Sequence, residues 1–169
     1  MPISIKCLER ILSNGLEAKK DEVFVAPAVS LRYARMHEAE AFGITRAVAE
    51  KMGVFAEVER MQKLYPEMRR RGIRVLPGGD YGFPYNPIGC NARDLELFVK
   101  LFDYSPVETL VAATKLGGEL MGLEVGVIRP DRLADLLLVD GDPTQDVTIL
   151  QDASRLLMIL KDGDFHRNL

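Results

Sequence analysis

The sequence predicts an α/β protein, with a parallel sheet in its first part and antiparallel strands in its last part. Residues 23–29 and 73–77 are short, almost wholly apolar runs, each preceded by a helical stretch. Such runs are typical of parallel strands that are buried on both faces. From residue 125 onward, short apolar runs alternate with turn signals such as residues 140–143, which indicates antiparallel strands.

The individual elements follow from apolar spacing and from start and stop signals. Thr45 is a candidate N-cap for a helix, and Ser105 followed by Pro106 and Glu108 has the pattern of a capping box. Gly72 is a natural residue to end the helix before it, and Pro66 lies inside that helix. Helices are predicted over residues 5–17, 31–42, 46–52, 54–71, 91–102 and 106–121, and C-terminal strands over residues 125–128, 134–139 and 156–161.

Composition excludes several classes of protein. The chain has 169 residues, a 47% apolar share, a 28% charged share and a formal net charge of −3, which favours neither nucleic acid nor an anionic membrane as a partner. Cys7 and Cys90 are far apart and form no CxxC pattern, so a disulfide framework or a thiolate zinc site is not expected. No apolar run reaches the roughly 20 residues of a membrane span. Because reduced cysteines fit the cytoplasm, we expect a cytoplasmic protein.

Two βα units do not make a closed fold by themselves. A complete (β/α)8 barrel takes about 250 residues, and a sheet of two parallel strands leaves both edges unpaired. The sequence therefore predicts a portion of a larger fold, or a chain that completes its fold with another.

Asp80 is the candidate functional residue. It follows the second strand directly, in a turn formed by Gly78, Gly79 and Gly82, and α/β folds place catalytic residues at this end of the sheet. From spacing alone, an aspartate that only stabilises a turn is an equally good interpretation. Tyr81, Phe83 and Tyr85 follow in the same loop and are candidate substrate contacts, with a self-packed surface loop as the alternative.

Four motifs occur in a fixed order along the chain. They are GGDYG at 78–82, NARDLEL at 91–97, SPVETLVAAT at 105–114 and LADLLLVDGDP at 133–143. Together they resemble the amidohydrolase superfamily, in particular its imidazolonepropionase-like and prolidase-like branch, over about residues 22–163. In the position where the family pattern has a histidine, this chain has Ile88.

The resemblance implies a partial (β/α)8 TIM barrel followed by strands of a small β-sandwich. Residues 1–122 would form the last part of the barrel, with residues 23–29 and 73–77 as its seventh and eighth strands, and residues 123–169 would belong to the sandwich. Asp80 would bind a divalent metal, most often zinc, and act as the catalytic base. The substrate would be a small molecule with an amide-type carbon–nitrogen bond.

The same resemblance shows what this sequence lacks. The family's HxH motif and its other histidine ligands belong to strands that have no counterpart here, and a catalytic zinc needs about three protein ligands. The two histidines, His37 and His166, lie in polar stretches and are expected to have no role at the site. We therefore predict that the isolated chain is inactive. The alternatives are a non-catalytic remnant, or a subunit that self-associates or docks on an N-terminal half-barrel.

Overall fold

The computed structural model describes residues 23–168, and the helix predicted over residues 5–17 lies outside them. The described chain is a mixture of helices and two small sheets. In order, its elements are β1 (Phe24–Val25), α1 (Val29–His37), α2 (Arg46–Lys51), α3 (Val54–Arg70), β2 (Arg74–Val75), α4 (Arg93–Phe102), α5 (Pro106–Ala113), α6 (Lys115–Met121), β3 (Leu136–Val139), β4 (Leu156–Lys161) and β5 (Asp164–Asn168).

The two predicted buried strands are present and pair in parallel. β1 and β2 align Phe24 with Arg74 and Val25 with Val75, and the amide of Leu76 extends the ladder by donating to the carbonyl of Val25 at 3.0 Å. Each strand is much shorter than its apolar run, because Pro27 and Pro77 lack the N–H that a ladder requires. The ladder therefore ends close to the turn that carries Asp80.

The core is built on α3 and α4. The helical spacing predicted for α3 is confirmed, since Val58, Met61 and Met68 are buried on one face. Phe98 and Phe102 of α4 are fully buried against this face. α3 is one helix with Pro66 inside it, and it ends at Arg70 with Arg71 as its C-cap. Gly72 then takes a positive φ of 77°, as expected of a residue that ends a helix.

The predicted helix over residues 106–121 is present as two helices, and the predicted strand over residues 125–128 is wrong. The helix is divided at Thr114, whose φ of −105° and ψ of −73° separate α5 from α6. Residues 125–128 form no strand. Gly126 has a positive φ of 78°, and a Cβ there would lie 2.3 Å from the carbonyl oxygen of Thr114. This close approach places residues 114 and 126 side by side, a contact between residues that the local pattern does not connect.

The last part of the chain forms a three-stranded antiparallel sheet in the order β3-β4-β5. β3 and β4 confirm the predicted strands, whereas β5 was not predicted. β5 follows a two-residue hairpin turn at Asp162 and Gly163, which both have positive φ, at 54° and 87°. Leu137 and Leu138 of β3 remain 55% and 50% exposed, as does Phe165 of β5 at 66%.

Among residues 23–168, no helix combines the length and the apolar character that crossing a membrane requires. The proposed division of the chain at residue 122 stays a prediction.

Candidate functional site

Asp80 lies where the sequence predicts it, in the turn that follows β2. Its side chain is exposed, while Gly79 before it is buried. The backbone φ of Asp80 is 53°, in the left-handed region that non-glycine residues rarely adopt. The turn thus presents a carboxylate at the carboxyl end of a parallel strand, in a conformation that needs support from its surroundings.

Asn86 supplies part of that support from inside the loop. Its side chain is fully buried, and its Nδ2 group donates to two consecutive carbonyl oxygens, those of Gly79 and Asp80, each at 3.0 Å. The Asn86 backbone also closes the loop, because its amide donates to Phe83 O at 2.9 Å and its carbonyl accepts from Gly82 N at 2.9 Å.

Asp94, at the start of α4, binds Tyr81 next to the turn and Ser30 at the start of α1. It is 1% exposed. Its Oδ2 accepts from the Tyr81 hydroxyl at 2.6 Å, and its Oδ1 accepts from the Ser30 amide at 3.2 Å. Burial raises the pKa of Asp94, and the hydrogen bonds from Tyr81 and Ser30 oppose that rise. Burial also raises the pKa of Tyr81, and the bond to Asp94 adds to the effect.

Arg93 connects Asn86 to Ser30 of α1. Its Nε donates to Ser30 Oγ at 2.9 Å, and one of its terminal nitrogens donates to Asn86 Oδ1 at 2.6 Å. The other terminal nitrogen forms an ion pair with Glu38. Ser30 Oγ also donates to Asn86 Oδ1 at 3.2 Å. The result is a buried polar cluster of Ser30, Asn86, Arg93 and Asp94 beneath the Asp80 turn.

The three aromatic candidates have different surroundings. The Tyr81 hydroxyl is occupied by Asp94, so this group supports the loop from within. Phe83 stacks on Tyr85 with ring centroids 5.5 Å apart, and Tyr85 contacts Phe42 at 5.9 Å. Phe83 is 36% exposed, and the Arg35 guanidinium lies 5.8 Å from its ring centroid. The loop is therefore largely self-packed, and its role in contacting substrate stays a prediction.

Sequence reasoning missed the buried polar cluster. One signal was present, because Asp94 lies four residues before Phe98 and hence on the apolar face of α4, where an unpaired carboxylate would be costly. Its partners could not be read from the sequence, since Ser30 is 64 positions away from Asp94 and 56 from Asn86.

The described residues do not by themselves form a metal site. In residues 23–168, no group of three or more His, Cys, Asp or Glu side chains is arranged to hold an ion. His37 packs its ring against Tyr33 at 4.6 Å, and His166 is exposed in β5. Within the described part of the chain, Asp80 therefore offers one carboxylate where a catalytic zinc needs about three protein ligands.

Several solved structures superpose on most of the chain. An amidohydrolase superposes on 97% of the chain with a TM-score of 0.73 at 22% sequence identity. A proposed prolidase from Bifidobacterium longum superposes on 84% with a TM-score of 0.73 at 25% identity. A prolidase solved with N-methylphosphonate-L-proline superposes on 97% with a TM-score of 0.74 at 18% identity. The chain shares its fold with amidohydrolases.

The likeness is to part of those proteins. The chain spans 37%, 34% and 38% of their respective lengths. No protein-family model and no curated protein sequence matches it. The comparisons thus support the predicted α/β fold, shared with part of those proteins, and the partial barrel stays a prediction.

Proposed function

We propose that this chain is the final portion of a metal-dependent hydrolase of the amidohydrolase type, which cleaves a carbon–nitrogen bond in a small amide substrate. In this proposal β1 and β2 are the last two strands of a (β/α)8 barrel, and β3, β4 and β5 contribute to a small β-sandwich. The structural likeness to amidohydrolases supports it.

The placement of Asp80 is the observation that carries the proposal. An exposed carboxylate follows a parallel strand, in a strained left-handed turn that buried side chains hold. The hydrogen bonds from Asn86 maintain this backbone conformation, and they therefore fix where the carboxylate leaves the turn. A carboxylate can ligate a hard or borderline divalent ion and can accept a proton. Asp80 is therefore our candidate for both roles in the completed protein.

The remaining ligands have to come from outside the described residues. We expect the chain alone to bind no stoichiometric metal and to hydrolyse no amide. A complete protein would join these residues to the strands that carry histidine ligands. Dipeptides of the X–proline type are a suitable first panel of substrates, because two of the similar structures are described as prolidases.

A chimera tests the proposal directly. Residues 23–169 would replace the matching segment of the prolidase solved with N-methylphosphonate-L-proline, and metal content and X–proline hydrolysis would be measured with zinc or manganese. The expected result is a metal-loaded, active chimera that loses its activity with Asp80→Asn. Asp103→Asn is the matched control, since Asp103 is also an aspartate with a positive φ of 59° but lies at the end of α4. Full activity of the Asp80→Asn chimera, or turnover by the isolated chain, would contradict the proposal.

One observation favours a second candidate, a remnant without catalytic function. The described part of the chain provides no metal cluster of its own, and a remnant does not require one. A remnant predicts a chimera that folds but binds no metal and hydrolyses nothing, which separates it from the first proposal.

A further inference from the structure

The buried polar cluster beneath Asp80 directs several of its hydrogen bonds to the turn that carries this residue. Three consecutive residues, 79 to 81, are each hydrogen bonded to one of two side chains. Asp94 accepts from the hydroxyl of Tyr81, whereas Asn86 donates to the carbonyls of Gly79 and Asp80. We propose that Asn86 and Asp94 are positioning residues that set the backbone of Asp80 and thereby the direction of its carboxylate. The inference rests on the function proposed for Asp80.

The double donation from Asn86 selects the conformation of Asp80. In an extended chain, successive carbonyls point to opposite sides, whereas in helical conformations of either hand they point to the same side. A single Nδ2 group reaches the carbonyls of both Gly79 and Asp80 at 3.0 Å. This pair of bonds is therefore compatible with the observed φ of 53° and not with an extended residue 80.

The Asn86 amide cannot easily turn over and lose this selectivity. Its Oδ1 accepts from Arg93 at 2.6 Å and from Ser30 Oγ at 3.2 Å. Both partners are donors in this arrangement, so a flipped amide would place its own N–H groups against them and leave the carbonyls of residues 79 and 80 unpaired. The cluster thus fixes which end of the amide faces the Asp80 turn.

Asp94 restrains Tyr81, the residue after Asp80, and connects it to α1 and α4. Its contact with the Ser30 amide joins the turn to the start of α1, directly after β1. Asn86 is fully buried and Asp94 is 1% exposed, and the polar atoms of both side chains are engaged by protein partners. Both act through residue 80, which makes them positioning residues and not catalytic ones.

Solution NMR on the full chain tests this inference without metal or substrate. A positive φ gives a strong intraresidue cross-peak between the amide proton and Hα, and we expect this peak at Asp80 in the original chain. Asn86→Ala is expected to abolish it and to shift the Asp80 amide resonance, while the resonances of β3 and β4 stay in place. Asn91→Ala is the matched control, because Asn91 is exposed in the same loop and its side chain accepts from the Gly89 amide, away from the Asp80 turn.

A second variant protects the test against simple unfolding. Tyr81→Phe removes one donor to Asp94 and leaves the packing of the ring, and we expect it to weaken the Asp80 cross-peak in a folded chain. The inference is overturned if Asn86→Ala keeps the positive-φ signature of Asp80, or if Asn91→Ala disturbs it equally. Because the readout is conformational, a failure of the chimera to hydrolyse amides would refute the proposed function and leave this result unaffected.

Discussion

Replacing Gly79 with alanine should disrupt the Asp80 turn through a steric conflict with Tyr81. A Cβ on residue 79 would lie 2.2 Å from Tyr81 Cζ and 2.4 Å from its hydroxyl oxygen, whereas carbon atoms in contact prefer about 3.5–4.0 Å. The ring must therefore move by more than about 1 Å, and the 2.6 Å hydrogen bond from Tyr81 to Asp94 cannot survive that movement.

The expected loss combines two effects. Losing a hydrogen bond to a charged group costs about 1.5–3 kcal/mol, and overpacking a buried position costs about 1–3 kcal/mol. Together they predict a decrease of roughly 2.5–6 kcal/mol in the free energy of unfolding. For a chain of this size, that corresponds to a decrease in Tm of about 5–24 °C.

Thermal and urea unfolding followed by circular dichroism measure this effect, and a double-mutant cycle assigns it. In a Tyr81→Ala background the space is already vacant, so adding Gly79→Ala should cost less than about 0.5 kcal/mol further. The control is Gly117→Ala in α6, where no atom lies within 4 Å of a new Cβ and where alanine should stabilise the helix by up to about 1 kcal/mol. An equal cost of Gly79→Ala with and without the Tyr81 ring would refute the steric reasoning.

Two further predictions concern the core and the pH dependence of stability that Glu108 of the capping box contributes. Phe98 is 0% exposed and contacts the rings of Phe102 and Tyr104 with centroids 5.2 Å and 5.1 Å away, so Phe98→Ala should lower the unfolding free energy by about 3–5 kcal/mol, and a loss below about 1 kcal/mol in urea unfolding would contradict the core assignment. Hydrogen bonds from the Ser105 amide and hydroxyl lower the pKa of Glu108, so its contribution is present above the unfolded pKa of about 4.3 and is lost as the pH falls through the lower folded value. Glu108→Gln should therefore flatten the dependence of the urea midpoint on pH in that window, and an unchanged slope would show that the capping box does not carry it.

The sequence predicted correctly those elements that depend on residues close to one another in the chain. The apolar spacing of α3 predicted the helical face on which Met61 and Met68 are buried. The capping box at Ser105 is present with both of its hydrogen bonds. Asp80 could be placed at the end of β2 because a short apolar strand followed by glycines has few other interpretations.

The features that were missed depend on contacts between distant parts of the chain. The break at Thr114 lies where Gly126 approaches its carbonyl, a contact that no helical pattern reveals. The sequence of β5 is polar, and only pairing with β4 makes it a strand. Asn86 gave no signal of its own, since its function in the loop depends on partners from α1 and α4.

The residues that hold the Asp80 turn all belong to this one chain, from Ser30 to Asp94. Ordering each backbone residue costs roughly 1–2 kcal/mol of conformational entropy. Since this turn is ordered as the chain folds, a segment that completes the proposed barrel would encounter an ordered surface and not a disordered loop. The free energy of association between the two would then reflect mainly the contacts they form, and the carboxylate would already have its orientation at the moment they meet.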